Sequence, residues 1–228
     1  MTFKKESEML EPVLSWAHTR GFTTKTEFPT GWGICDVVAA SPNKFSIKKR
    51  LKYNQKKPIL SLQKIDLLYN IPDEENGHSI SLKRLGRESK SHYPDIDLDF
   101  ELTELTRQRY IVSPRAGYYQ KRNGWQPLQK KLLAIEIKLN RIEEALFQAF
   151  NNLKFASESY VALPKQIASR IAKSKRLVDF VECGVGLISV NQNTCRVLRK
   201  SKSNNTILNS KVQMTYIERF WQDWLKDN

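Results

Sequence analysis

Glu136 and Lys138 stand two residues apart in the segment LLAIEIKLN (132–140), an otherwise apolar run. In a strand, residues i and i+2 share a face, so Glu136 and Lys138 point one way while Ile135, Ile137 and Leu139 point the other. Leu132, Leu133 and Ala134 just before them predict a central strand covered on both sides. Ionised groups in such a place carry a desolvation cost that a partner, a metal ion or a substrate site must offset. A same-face ion pair near the exposed end of the strand is the structural solution; a carboxylate and an ammonium group held for an ion is the chemical one. Far earlier in the chain a second acid, Asp36, opens another strand-like run in GICDVVAA. Glu88-Ser89-Lys90 repeats the spacing, but it reads as a polar loop with no strand around it.

Other chemistries find little support. His18, His78 and His92 are scattered, with no Ser or Cys nucleophile motif near them, and read as exposed or half-buried polar residues. Cys35, Cys183 and Cys195 are odd in number, far apart and without CxxC spacing, which argues against a disulfide framework or a zinc site. They read as buried small hydrophobes. The 228 residues, 40% of them hydrophobic, can bury one sizeable core or a core plus a small second module. A net charge of +14 most often serves a polyanion, usually nucleic acid, with ribosomal, membrane-surface and acidic-protein partners as the other readings. The opening MTFKKESEML lacks a signal-peptide core, and no stretch approaches the roughly 18 apolar residues of a membrane span. The expectation is a soluble, cytoplasmic protein without a membrane partner.

The elements that must position the charged residues follow from periodicity. Residues 6–20 place Met9, Leu10, Val13, Leu14 and Ala17 on one helical face, and two strands around a Pro/Gly turn follow over 23–41. Residues 44–57 are basic and aperiodic and read as a connector or exposed edge. Leu60, Leu62, Ile65, Leu68 and Tyr69 form a helical stripe stopped by Pro72; Ser81 can cap a second helix, and a third falls within 95–110. A hairpin around SPRAG or KRNG comes next. After the Glu136 strand come a helix with Ile142, Leu146, Phe147, Phe150 and Leu153, the short strand SYVALPK, a helical stretch over 166–184, and two strands. A polar linker over 201–211 leads to a final helix whose Tyr216, Phe220, Trp221 and Trp224 share one side, expected to dock on the parent core.

This order of motifs resembles the PD-(D/E)XK superfamily of restriction-endonuclease-like nucleases, over about residues 6–43 and 131–200. GICDVVAA resembles the family's Asp motif, LLAIEIKLN its E-x-K motif, and ALFQAFNNLKFASESYVALP the helix and strand that follow. Cys35 stands where a Pro is usual, and the long gap from Asp36 to Glu136 is taken up by an inserted module. Within that module, LTELTRQRYIVSPRAGYY resembles the third helix of a winged helix running into its wing. The fold implied is α/β: a restriction-endonuclease-like mixed sheet flanked by helices, residues 1–43 and 131–228, with a mainly α winged-helix-like insert over 44–130.

The resemblance also implies a chemistry. Phosphodiester hydrolysis must stabilise negative charge on the attacking water, the phosphoryl oxygens and the leaving oxygen, which a hard divalent cation does through oxygen ligands. In the family pattern Asp36, Glu136 and the backbone carbonyl of Ile137 hold magnesium, with manganese as a substitute, and Lys138 orients or deprotonates the water and stabilises developing charge. Glu11, or Glu8 one turn before it, occupies the place of an additional metal-site glutamate, with solvation of the outer helix face as the alternative. Gln148 would touch a substrate phosphate or orient Lys138. Arg107, Arg109, Arg115, Lys121 and Arg122 would contact DNA from the insert, although the acidic approach at Asp95, Asp97, Asp99 and Glu101 repels phosphate. Lys173, Lys175, Arg176, Arg196, Arg199 and Lys200 would track the backbone. The expected protein is a metal-dependent DNA endonuclease, alone, as a homodimer or within a larger nucleoprotein assembly. The alternatives are a subunit active only in a transposition or defence assembly, and a non-catalytic nucleic-acid-binding protein with a nuclease-like fold.

Overall fold

Local rules explain most of the elements in the computed structural model, which describes residues 3–203 and 211–227. A 3-10 turn, Glu6–Met9, which buries Met9, runs into helix α1, Leu10–His18, which buries Pro12, Val13, Trp16 and Ala17. Strands β1, Thr23–Thr30, and β2, Gly33–Pro42, form an antiparallel hairpin. Helix α2, Lys44–Lys52, replaces the expected connector. The side chain of Asn43 accepts from the Ser46 amide and caps it, and Arg50 is its one large buried side chain. A helix anchored by a buried guanidinium rather than by an apolar stripe leaves no periodicity to read.

Helices α3, Leu62–Asn70, α4, Leu82–Lys90, and α5, Leu98–Arg107, are capped by Ser61, Ser81 and Asp97, each accepting from the amide three residues on. The two-residue strand β3, Ile80–Ser81, joins β4, Ile111–Arg115, and β5, Tyr118–Lys121, in a small sheet of order β3-β5-β4. Gly117, at φ +72°, supplies the left-handed residue of the β4–β5 turn. Glu88-Ser89-Lys90 lies inside α4 and not in a loop; positions i and i+2 of a helix do not share a face, so the triplet cannot act as one site.

The chain continues through β6, Gln129–Ile137, α6, Ile142–Asn152, β7, Glu158–Pro164, α7, Lys165–Ala172, α8, Leu177–Glu182, β8, Gly186–Val190, and β9, Cys195–Arg199, with α9, Lys211–Asp227, at the end. The single helix expected over 166–184 is thus two. The expected polar linker lies mostly outside the described residues.

Two units result. The described residues up to Pro42 and from Gln129 to Ser203 form one; Asn43–Leu128 and α9 form the other. The aromatic C-terminal helix therefore belongs with the inserted segment and not with the parent core, a correction to the expected division. Its reason is a polar anchor: Glu218 of α9 is fully buried and takes both guanidinium nitrogens of Arg50 at 2.7 Å. Sequence periodicity shows the aromatic stripe but not which unit receives it.

The first unit is a mixed six-stranded sheet of order β1-β2-β6-β7-β8-β9. β6–β7 and β7–β8 are parallel, and the remaining pairs antiparallel. One face packs Val37, Leu133, Ile135, Tyr160 and Ile188 with α1. On the other, Val161, Leu163 and Leu187 meet Ala145 and Ala149 of α6 and Ile171 and Phe180 of α7 and α8. Helices thus flank the sheet, and β6 is buried on both faces as its apolar run requires.

Candidate active site

β2 and β6 run antiparallel with Val37 opposite Ile135, so one step further Asp36, near the start of β2, and Glu136, near the end of β6, come abreast. The Ile137 amide donates to Asp36 Oδ2 at 2.7 Å, and Lys138 Nζ lies 3.7 Å from the same oxygen. Lys138 follows directly on the last residue of β6, and its amide bonds the Ala162 carbonyl of β7. The three charged residues of the two motifs are therefore brought together, and register does the positioning.

Glu136 is 1% exposed. Its Oε1 accepts from Asn152 Nδ2 at 2.6 Å, while Oε2 is buried without a hydrogen-bond partner. The neighbouring Cys35 thiol directs its hydrogen to the Val37 and Ile135 carbonyls, 3.4 and 3.8 Å away, and of the groups that favour the Glu136 carboxylate it contributes least. Burial above all, and then the charge of Asp36, push the Glu136 carboxyl up to about 7; Asn152 and Lys138 only partly oppose them. Burial likewise raises the Cys35 thiol, which stays a buried apolar group as expected; Cys183 and Cys195 are only half-buried.

Asn152 belongs to the candidate site and is not among the residues expected from the sequence. It is buried, donates to Glu136 and to Cys35 Sγ, and accepts from the Trp32 indole at 3.3 Å. Gln148, the expected residue, lies one turn earlier on α6, half-buried, and its Oε1 bonds nothing. The signal was present as the i, i+4 relation of Gln148 and Asn152, which share a helix face.

A cavity of about 230 Å³ opens beside Asp36 and Ile137, lined also by Glu6, Leu10, Thr26 and Glu27. Glu6 occupies the place expected of Glu11. It begins the 3-10 turn before α1 and accepts the Leu139 amide at 3.1 Å, just past the motif strand. Glu11 is exposed on the outer face of α1 and does not line the cavity; Glu8 is exposed too and accepts the Lys4 amide. Helical phase decides this, because the face bearing Met9 and Val13 is the buried one. Glu27 lies on β1 between the partners of Val37 and Cys35, facing the Asp36 position of β2, with a left-handed φ of 49°, strain that an L-residue adopts at a cost.

The residues can be tested against a divalent ion. Among the described residues no three Asp, Glu, His or Cys side chains converge into a complete ligand set. Two carboxylates and a backbone carbonyl suit magnesium, which keeps several of its waters and rarely takes an all-protein cage. The unsatisfied Oε2 of Glu136 and the mutual repulsion of the two acids are what a cation would relieve, so the donor set fits.

The expected DNA contacts of the insert are unevenly placed. Arg115 is exposed and stacks over Tyr118 at 3.6 Å, and Arg109 is exposed. Arg107 is exposed but held by both oxygens of Glu104. Lys121 is engaged inside its unit by the Leu68 carbonyl and Asp73, and Arg122 is half-buried near Tyr53. Lys83, Arg87 and Lys90 line a groove on α4, with Asp97 and Asp99 opposite. That basic stripe at helical spacing was not singled out from the sequence.

No family model matches the chain, and no curated protein matches it. Among solved structures it is similar to SPO1766, a protein of unknown function from Silicibacter pomeroyi, at 10% identity and a TM-score of 0.43, over 99% of this chain and 92% of that one.

Proposed function

We propose that the protein is a metal-dependent DNA nuclease with a restriction-endonuclease-like first unit and a winged-helix-like second unit that helps hold or select the substrate. The observation that carries this reading is Glu136, a buried carboxylate with one oxygen unsatisfied, set beside Asp36 and Lys138 at the end of a central strand. The order α3, β3, α4, α5, β4, β5 supports the winged-helix reading of the insert. Asp36, Glu136 and the Ile137 carbonyl would hold magnesium or manganese. The bound ion would supply Lewis-acid polarisation of a phosphoryl oxygen and lower the pKa of a water.

The chain's own residues do the rest. The Asn152 bond fixes the Glu136 carboxylate in one orientation, so that its free oxygen is already placed when the substrate arrives. Lys138, tethered electrostatically to Asp36, keeps a positive charge where negative charge develops on the phosphoryl oxygens. Low solvent access strengthens both interactions. The net charge of +14 draws the polyanion in, and binding should weaken steeply with salt.

The test is cleavage of labelled single- and double-stranded DNA in magnesium or manganese by wild type, Asp36→Ala and Glu136→Ala. Each substitution should lower the rate roughly a hundredfold to a thousandfold, as expected for several kcal/mol of lost charge stabilisation. Equal cutting by all three proteins would remove the site from the chemistry.

A further inference from the structure

A second and larger cavity, about 550 Å³, opens at the same end of the sheet as Lys138. β6 and β7 run parallel and both end there. β6 leads through Lys138 to Asn140, which lines the cavity, and β7 leads directly into α7, which forms one wall. Carboxyl ends of parallel strands are where open α/β sheets take ligands.

The floor and rim differ in chemistry. Ile142, Ile167 and Ile171 form the floor and belong to the apolar core beneath it. Arg170, Lys175 and Arg176 form the rim and are exposed. Glu143 approaches Arg176 at 3.6 Å, whereas Arg170 and Lys175 make no ion pair among the described residues. An apolar floor under a cationic rim matches a ligand with one flat apolar part and one anionic part. The volume lies in the range of small-molecule sites, roughly 300–1,000 Å³. A stacked duplex offers no such ligand, because its bases are inside. An unstacked nucleotide does, with the base or sugar against the isoleucines and the phosphate toward the guanidinium and ammonium groups.

We propose that this cavity is a nucleotide subsite that receives one unpaired nucleotide of single-stranded DNA adjacent to the phosphate held at Asp36, Glu136 and Lys138. The proposal rests on the nuclease reading of that neighbouring site and adds a preference for unpaired DNA next to the cut.

The experiment measures binding without catalysis. A labelled 12-nucleotide single strand and a blunt duplex of the same length are titrated with protein in EDTA, and anisotropy is followed. The proteins are wild type, Arg170→Glu/Lys175→Glu, and a control with the same charge change at exposed positions elsewhere, Lys130→Glu/Lys202→Glu. The subsite predicts that the cavity variant loses at least tenfold in single-strand affinity, the control less than threefold, and that the two variants bind duplex alike. Equal single-strand losses in both variants, no loss in the cavity variant, or an equal loss on duplex in the cavity variant would overturn it. Because no metal is present, a protein that binds the strand in this way yet never cuts would defeat the nuclease reading and leave the subsite standing.

Discussion

Glu136 and Glu218 are each at most 1% exposed, and their surroundings are opposite. Glu218, in the second unit, receives both nitrogens of the Arg50 fork, the Ile59 amide at 3.0 Å and the Trp125 indole at 3.1 Å. The guanidinium is itself completed by the Gln55 carbonyl and the Tyr110 hydroxyl, each within 2.8 Å. Burial alone would weaken the charge on Arg50, but Glu218 and Tyr110 together outweigh it and hold the group firmly protonated. Glu136, in the first unit, has one strong donor, Asn152, and a second acid as its neighbour. The structural carboxylate has its lone pairs filled; Glu136, on the proposed reading kept for chemistry, is left short of donors and oriented.

The contrast can be broken first at its structural end. Arg50→Met should leave Glu218 buried and uncompensated, at a cost of about 3–5 kcal/mol. Urea unfolding would show it as a large drop in midpoint. A loss below about 1 kcal/mol would mean that the Arg50 network is replaceable and that the comparison fails on this side.

The other end has a pH signature. The Glu136 carboxyl is raised from 4.5 to about 7, so between those values the folded protein keeps a proton that the unfolded chain has released. Stability should therefore fall as pH rises through this window, by at most roughly 3 kcal/mol. Glu136→Gln fixes the neutral form. It should match wild type near pH 4.5 and exceed it at pH 8, in EDTA. Parallel profiles for the two proteins would show that Glu136 is not held short of donors.

Much of this was readable from the amino acids, and the failures share a cause. Residues 132–140 gave a central strand bearing Glu136, with Lys138 directly after its last residue, because alternation is a property of neighbours in sequence. Asp36 was found for the same reason, at the fourth position of β2. The reading missed α2, whose anchor Arg50 finds its partner in a helix far along the chain, and it misassigned α9, whose aromatic stripe does not say where it docks. At the site the residues expected were Glu11, or Glu8, and Gln148, where the structure places Glu6 and Asn152. Gln148 shares α6 with Asn152, one turn away, whereas Glu11 lies in α1 and Glu6 in the 3-10 turn before it; residue type and approximate position survive in sequence while helical phase against a sheet end does not.

The most direct test is calorimetric titration of magnesium or manganese into wild type, Asp36→Ala and Glu136→Gln at pH 8. The account predicts one saturable binding event in wild type that is lost or much weakened in both variants, with proton release growing as the pH is lowered toward 7, where Glu136 must give up its proton to bind. Equal binding by all three proteins, or no binding by wild type, would contradict the claim that Asp36 and Glu136 are held in place for a cation.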